Sequence, residues 1–334
     1  MNLKMDLKKE ILRLKEELDV TLVAHFYQRD EVFELADITG DSLELARKAK
    51  ETSSKYVVFC GVGFMGESVK VLSPEKTVLM PKIACCAMAR MIDEGYYEQN
   101  LKQINEAGIP NEDILPITYI NSSAAVKAKV GEMGGMVCTS SNAYKIIEKG
   151  LESGKKIFFV PDRCLGQNFA KQMNLKSAVV GDGSDLKEAD IICYNGFCSV
   201  HQLFTVDDVE FYREKYEDIL VAVHPECDPS VCDAADFVGS TSQLIQYIKD
   251  LPLEQKVVVG TEFNMVNRLR EKNTYILSST KPECPTMNET TLEDVYKTLK
   301  SIKDNNISEE TLIKVNDETI KWARVALERM LEVW

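Results

Sequence analysis

The amino-acid sequence predicts an α/β fold built from parallel β-sheets. One pattern returns along the chain: a short run of β-branched residues, a turn of small or polar residues, and an amphipathic helix. Strands that alternate with helices over such distances form βα units with parallel strands. With 45% apolar residues in 334 positions, the chain can bury a large core, and its length predicts two or three domains.

Six copies of this pattern each predict one strand and one helix. In chain order they read TLVAHFYQRDEVFELA, YVVFCGVGFMGESVKVL, ITYINSSAAVKAK, GMVCTSSNAYKIIEK, KIFFVPDRCLGQNFAKQ and KVVVGTEFNMVNRLREK. Before them, MNLKMDLKKEILRLKEELD has leucines at helical spacing among charged residues, without the apolar run of a signal peptide. Because no run of about 18 apolar residues follows either, we expect a cytoplasmic protein.

The charge of the chain argues against anionic macromolecules as partners. It carries 40 basic and 53 acidic residues, a net charge of −13. Such a protein repels the phosphates of nucleic acids and of anionic membranes, so we expect neither as a partner. Any anionic substrate must therefore meet local hydrogen-bond donors.

Polar residues follow the predicted strands, where parallel α/β sheets bind ligands near free N–H groups of loops and helix N-termini. These residues are His25 and Tyr27, Tyr119 and Asn121, Thr139 and Ser140, Asp162 and Arg163, Ser240 and Thr241, and Thr261 and Glu262. Taken singly, a serine, threonine or asparagine at such a position is more often a helix N-cap than a ligand contact. Their accumulation is what indicates a binding site.

The chain has only three histidines, and each lies in a short polar run. His25 is in AHFYQ, His201 in GFCSVHQ and His224 in HPEC. A chain so sparing with histidine, which places each one near a tyrosine, a cysteine or a glutamate, is predicted to assemble a single active centre.

The ten cysteines do not indicate a disulfide framework in a protein expected to be cytoplasmic. The absence of C-x-x-C argues against a thioredoxin-like pair, a zinc ribbon and a bacterial ferredoxin cluster. Cys86, Cys198 and Cys284 stand in turns before predicted helices, where the helix macrodipole would lower the pKa of a thiol. The cysteines in apolar runs are predicted core residues: Cys60, Cys138 and Cys193.

Eleven segments resemble, in order, segments of bacterial and archaeal quinolinate synthases. They are AHFYQ, ADITGDSLELAR, FCGVGFM, TYINSSAAVKA, CTSSNA, PDRCLGQN, GFCSVHQLF, HPEC, GSTSQLI, GTEFNMVNRL and CPTMNETTLEDV. The resemblance covers nearly the whole chain from residue 20 to residue 300. Any one motif is weak evidence, but their common order argues strongly against coincidence.

The resemblance implies three similar αβα sandwich domains with parallel sheets in a pseudo-threefold triangle, with the active site at the central interface. The expected boundaries are residues 1–90 with 285–334, residues 91–199, and residues 200–284. We expect the ligands and the reaction described next to belong to that interface.

The resemblance also implies one [4Fe-4S] cluster per chain, with one cysteine ligand from each domain. On this sequence the ligands are Cys86, Cys198 and Cys284. Three thiolates leave one iron without a protein ligand, and that iron can act as a Lewis acid toward substrate oxygen or nitrogen.

The implied reaction condenses iminoaspartate with dihydroxyacetone phosphate, releases phosphate and two waters, and forms quinolinate for NAD synthesis. It needs several acid–base groups. By the resemblance, Glu226 is the general base with His224 beside it, and Tyr27 is a proton donor or relay. His25 and His201 hold substrate oxygens, and we expect none of the histidines to bind metal. The unstable imine would come from an L-aspartate oxidase or an aspartate dehydrogenase.

Two carboxylates and a phosphate need neutral donors and helix ends in an acidic protein. The positions that match the family are Ser42, Tyr119, Asn121, Ser140, Ser240 and Thr241. The sequence leaves open which of them holds phosphate and which holds a carboxylate.

Four further cysteines have no assigned role. Cys85 directly precedes Cys86, and the AMARM that follows favours Cys86 as the ligand. Cys164 stands where relatives usually carry another residue. Cys227 and Cys232 form a C-x4-C spacing that is either incidental or a reversible disulfide.

Two other functions compete with this interpretation. A zinc hydrolase could use Cys198, His201, His224 and Cys227, since tetrahedral zinc tolerates this spacing, but two of the three turn cysteines would then be unexplained. A non-catalytic metal-storage or ligand-binding protein would treat the histidines as core residues. The isolated cysteines in strand-end loops argue against this second alternative.

Overall fold

A computed structural model describes residues 2–333 of the chain. The strands are β1 Val20–His25, β2 Ile38–Gly40, β3 Tyr56–Cys60, β4 Thr77–Leu79, β5 Ile114–Tyr119, β6 Met136–Cys138, β7 Lys156–Val160, β8 Ser177–Val179, β9 Ile191–Cys193, β10 Leu220–Val223, β11 Phe237–Val238, β12 Val257–Gly260 and β13 Thr274–Ile276. The helices are α1 Asn2–Leu18, α2 Asp30–Phe33, α3 Ser42–Glu51, α4 Gly63–Leu72, α5 Glu94–Glu106, α6 Ala124–Glu132, α7 Ala143–Leu151, α8 Arg163–Gln172, α9 Val206–Lys215, α10 Pro229–Asp233, α11 Thr241–Asp250, α12 Phe263–Asn267, α13 Leu292–Lys303 and α14 Asp317–Glu332.

The strands form three sheets with one shared topology. The orders are β2-β1-β3-β4, β6-β5-β7-β9-β8 and β11-β10-β12-β13, and the pairs are parallel. Without the additional edge strand β8, the three orders are the same. The predicted α/β class with three αβα units is therefore confirmed, and all six predicted strand–helix pairs are present.

Each sheet is covered by helices because successive strand residues point to opposite faces. In the first sheet, Val23 and Phe59 pack in the cluster that includes residues of α3 and α4. Leu22 and Val58 point the other way and pack with residues of α1 and α13. The third sheet is likewise divided between two clusters. Burial on both faces explains the nearly continuous apolar runs in these strands.

The last helix, α14, joins the first two units. It packs against α6 and β6 of the second unit and against α4 of the first. The C-terminal segment that the predicted boundaries assign to the first domain thus contacts two units, through α13 on α1 and through α14 on α6. The boundaries near residues 90, 199 and 284 stay a prediction.

Among the helices in residues 2–333, none combines the length and the apolar character that crossing a bilayer requires.

Candidate active site

The carboxyl ends of the strands in all three sheets meet around one cavity of about 70 Å³. All predicted site residues except Ser240 line it: His25, Tyr27, Ser42, Cys86, Tyr119, Asn121, Ser140, Cys198, His201, His224, Glu226, Thr241 and Cys284. The location follows from topology, since the ligand crevice of each parallel sheet lies where its strand order reverses. Three such crevices face one another here.

The three cavity cysteines occupy equivalent positions in the three units. Each lies three residues before a single turn of 3-10 helix, and these turns span Ala89–Met91, His201–Leu203 and Met287–Glu289. Backbone N–H groups of the turns point at the sulfur atoms and lower the thiol pKa, but burial has the larger effect. It raises the pKa of Cys86 to about 12 and also raises the pKa of the other two thiols.

The prediction that helix N-termini lower these three pKa values is therefore wrong. The expected helices are one-turn segments, too short to carry a large dipole, and buried sulfur loses the solvation that a thiolate needs. Cys86 is also close enough to Cys198 and Cys284 for charge on one sulfur to disfavour charge on another. Only a positively charged partner would stabilise three thiolates together here.

The remaining cysteines lie outside the cavity lining, and all ten are free thiols. Cys85 is exposed, whereas its neighbour Cys86 lines the cavity. Cys227 is buried, and its thiol donates to the carbonyl of Gly260 at 3.5 Å. The four side chains of the alternative zinc site, which include Cys227, therefore do not form a group of possible ligands within residues 2–333. The cysteines predicted as core are fully buried: Cys60, Cys138 and Cys193.

Glu226 is the centre of a buried polar cluster. Its Oε1 accepts a hydrogen bond from the Tyr119 hydroxyl at 2.5 Å. Its Oε2 lies 2.9 Å from His201 Nδ1, a close contact that is not aligned as a hydrogen bond. The His201 ring stacks on His224, with ring centroids 4.7 Å apart. These contacts fix the carboxylate at the cavity wall.

A chain of hydrogen bonds connects this cluster to Tyr27. His201 Nε2 lies 3.0 Å from Thr261 Oγ1, which lies 3.1 Å from the Tyr27 hydroxyl. The same hydroxyl is 3.0 Å from Thr241 Oγ1. Both nitrogens of His201 thus face protein groups. Thr261 is one of the strand-end residues, but no role for it follows from the sequence, because its partners are distant in the chain.

Burial sets the protonation of the cluster. It lowers the pKa of His25 to about 4 and of His224 to about 3, so both rings are neutral near pH 7. For Glu226, burial alone would raise the pKa, but His201 and the hydrogen bond from the Tyr119 hydroxyl outweigh this effect and the pKa is lowered. Burial and the charge of Glu226 raise the pKa of Tyr27. The site therefore combines an ionised carboxylate with a protonated tyrosine.

Asp41 joins all three units beside the cavity. Its Oδ1 accepts from the N–H groups of Leu43 and Glu44 and thereby caps α3. Its Oδ2 accepts from the hydroxyls of Ser141 at 2.8 Å and Ser242 at 2.7 Å. Asp41 is not among the predicted site residues, although an aspartate before a predicted helix in ADITGDSLELAR is a signal for an N-cap.

Ser240 lies outside the cavity lining and takes part in a capping box. Its hydroxyl accepts from the N–H of Gln243, whose side chain accepts from the N–H of Ser240. The predicted substrate contact of Ser240 is not supported by this position, because its oxygen is engaged by the start of α11.

One group of possible metal ligands occurs within residues 2–333: Cys198, His201 and Glu226, whose ligand atoms lie within 4.8 Å of one another. Together with Cys86 and Cys284 on the same cavity, this places sulfur, nitrogen and carboxylate donors around one space. The fold and the site define an α/β protein of three equivalent units that share one centre of ionisable groups and possible metal ligands.

Comparisons with known proteins identify the family. The family model described as "Quinolinate synthetase A protein" matches residues 9–332. The chain is 55% identical over 334 residues to the quinolinate synthase of Helicobacter pylori (strain HPAG1), covering 98% of each. It is 42% identical to that of Aquifex aeolicus, covering 98% of this chain and 94% of the relative, and 41% identical to that of Acidobacterium capsulatum, covering 98% and 93%. The chain belongs to the quinolinate synthase family, as the sequence motifs predict.

Proposed function

We propose that this quinolinate synthase condenses iminoaspartate with dihydroxyacetone phosphate, with loss of phosphate and two waters, at a [4Fe-4S] cluster. The observation that carries the proposal is that one cysteine from each unit lines the cavity that holds the Glu226 cluster. This reaction class is a transferase-type condensation followed by dehydration, and it would serve NAD synthesis.

The residues present fit such a cluster. Cys86, Cys198 and Cys284 would hold it, and their buried thiols need a cationic partner to ionise. When bound, a cluster with three cysteine ligands supplies an iron without a protein ligand, which polarises a substrate oxygen or nitrogen as a Lewis acid. His201 faces Glu226 and Thr261, which supports its assignment to acid–base work rather than to metal binding.

Glu226 is the proposed general base. Its lowered pKa keeps the carboxylate ionised, so it can accept a proton from a carbon next to a carbonyl or an imine. Tyr27 is the proposed proton donor, because its raised pKa keeps the hydroxyl protonated. Thr261 and His201 connect the two groups by hydrogen-bond distances near 3 Å. His201 in turn lies 2.9 Å from Glu226, so the proposed base and the proposed proton donor face the same group of side chains.

Neutral donors bind the substrate carboxylates and phosphate in this proposal. Among the hydroxyls and amides that line the cavity, we assign this role to those of Ser42, Tyr119, Asn121, Ser140 and Thr241. His25 adds a neutral ring with its pKa lowered to about 4. A buried site of this kind strengthens each hydrogen bond to an anion by excluding water.

The unstable imine would be supplied by an L-aspartate oxidase or an aspartate dehydrogenase, which we place with this enzyme in the cytoplasm. The net charge of −13 is consistent with small-molecule partners and opposes nucleic acid as a partner.

The cluster is tested by purifying the protein without oxygen and measuring iron, zinc and visible absorption. We expect a brown protein with about four iron atoms per chain. Alanine at Cys86, Cys198 or Cys284 should each abolish cluster binding, whereas Cys164→Ala, which removes another buried thiol, should keep it. A colourless protein with one zinc per chain, or a normal cluster in any of the first three variants, would contradict the proposal.

A further inference from the structure

Lys127 is a fully buried lysine one helical turn inside α6. Its Nζ donates to the carbonyl of Ile120 at 2.8 Å and to the carbonyl of Ser122. These two carbonyls flank Asn121, which lines the cavity. The amine therefore holds the carbonyl groups of the residues directly before and after a cavity residue.

Asn121 presents an unpaired polar atom at the cavity. Its Oδ1 is buried and has no hydrogen-bond partner among protein atoms of residues 2–333. Buried amide oxygens without a partner are uncommon, and each costs free energy unless a ligand or water pairs with it. An atom of this kind on the wall of the proposed active site points to a substrate donor as its partner.

The other neighbours of Lys127 do not indicate a separate role in binding. Its Nζ lies 5.4 Å from the centroid of the Phe64 ring, and Phe64 also lines the cavity. The nearby Glu67 carboxylate accepts from the N–H of Ala124 at the start of α6 at 2.8 Å. Burial lowers the pKa of Lys127 to about 7 against the opposing charge of Glu67. The amine can donate both hydrogen bonds whether it is neutral or charged.

We propose that Lys127 is a positioning residue that sets the conformation of the Asn121 loop for substrate binding. The proposal rests on the proposed function, because it takes Asn121 as a substrate contact. Burying an amine costs free energy, and here the cost is offset by two backbone hydrogen bonds that orient one residue of the cavity. Lys127 does not itself line the cavity, so it acts through Asn121.

The chain offers a matched control in Lys76. It is also buried, and its Nζ donates to the carbonyls of Ala49 at 3.0 Å and Thr52, at the edge of the first unit. Neither Lys76 nor these partners line the cavity. Loss of either lysine should destabilise the fold similarly, but only Lys127 should affect the substrate.

The experiment compares Lys127→Met, Lys76→Met, Asn121→Ala and the double variant Asn121→Ala with Lys127→Met, each with its iron content matched to wild type. Lys127→Met should raise the KM of at least one substrate about tenfold, the scale of one lost hydrogen bond, with a smaller change in kcat. Lys76→Met should leave KM unchanged. The double variant should have the KM of Asn121→Ala, because the two residues act as one unit. Additive effects, or an unchanged KM in Lys127→Met, would overturn the proposal.

A second measurement does not depend on the reaction. Amide hydrogen exchange of the segment 119–124 should be faster than wild type in Lys127→Met and unchanged in Lys76→Met; equal exchange in both variants would overturn the positioning role. If wild-type protein forms no quinolinate, the proposed function fails, and the exchange result still decides the role of Lys127. Lys127→Gln, whose shorter side chain cannot reach both carbonyls, replaces Lys127→Met with the same expected results if the latter does not fold.

Discussion

At the scale of single residues, the site combines one ionised side chain with several ionisable side chains that stay neutral. Glu226 is 4% exposed, yet its pKa is lowered because His201 and a tyrosine hydroxyl stabilise the ionised form against the effect of burial. The same burial keeps His224 neutral and Tyr27 protonated. An ionised carboxylate and a protonated hydroxyl in one site suit the elimination and dehydration steps of the proposed reaction.

Replacing Glu226 with glutamine tests this assignment. Glutamine keeps the size of the side chain but cannot accept the proton, so we expect quinolinate formation to fall by about 10² to 10⁴-fold. Iron content and visible absorption should equal those of wild type. Glu283→Gln, which changes a partly exposed carboxylate paired with Lys281, is the control and should remain active. A fully active Glu226→Gln would remove Glu226 from the role of base.

The histidines and cysteines of the site could be predicted from the sequence, because histidines are rare in this chain and the cysteines stand in recognisable turns. Three histidines in a chain of 334 residues attract attention by number alone. Asp41 and Lys127 could not be predicted as residues of the site, because aspartates and lysines are common. Only their burial distinguishes these two from the others. The partners of Asp41 include Ser141 and Ser242, which are 100 and 201 positions away. No local sequence pattern predicts a contact over such a distance in the chain.

At the scale of helices and strands, the sequence predicts most of the longer strands and few of the short ones; the exceptions are the three-residue β6, which is predicted, and the four-residue β10, which is not. β1, β3, β5, β7 and β12 carry four to six residues each and follow from their apolar runs. The strands of two or three residues, such as β2 and β11, are too short to carry a recognisable period. The short 3-10 turns after the cysteines cannot be told from longer helices in the sequence. Capping signals mark where a helix starts, whereas the length of the helix depends on packing.

The contact between α6 and α14 depends on a glycine. A Cβ atom at Gly131 would lie 2.1 Å from the carbonyl oxygen of Trp322 in α14. Because a backbone atom cannot move aside alone, we expect Gly131→Ala to lower the free energy of unfolding by about 1–3 kcal/mol despite the better helix propensity of alanine. Urea titration under anaerobic conditions measures this change.

Gly95 in α5 is the matched control for this substitution. Its side of the helix is exposed, and the nearest atom to an added Cβ is Asp93 Oδ1 at 3.4 Å. Gly95→Ala should therefore be neutral or stabilise the protein by up to about 1 kcal/mol. If Gly131→Ala were as stable as Gly95→Ala, the two helices would not be as close as described.

At the scale of the whole molecule, three units with one strand order share one site. Each unit supplies a cysteine before a 3-10 turn and polar residues after its first two strands. The repeated topology explains why the ligands are distant in sequence and why no compact metal motif occurs. Spacing alone could not predict which loops meet; that part of the site came from resemblance to the family.

Asp41 is expected to stabilise the junction of the three units. Asp41→Ala removes an N-cap, worth about 0.5–2 kcal/mol, and two hydrogen bonds to a charged group, worth about 1.5–3 kcal/mol each. Asp228 is the matched control, because it caps α10 through Ser230 within a single unit. We expect Asp41→Ala to lose more unfolding free energy than Asp228→Ala and to lose activity as well. Equal losses in the two variants would show that the contacts with Ser141 and Ser242 do not hold the units together.

Product formation by the anaerobic wild-type protein tests the central claim most directly. Dihydroxyacetone phosphate is supplied together with iminoaspartate generated in place from aspartate by an L-aspartate oxidase, with an added electron acceptor that replaces oxygen, and quinolinate and phosphate are measured. We predict that both products form in equal amounts, only when both substrates are present, and that Cys86→Ala forms neither. A protein with its full complement of iron that forms no quinolinate, or a Cys86→Ala variant that forms it at the wild-type rate, would contradict the account.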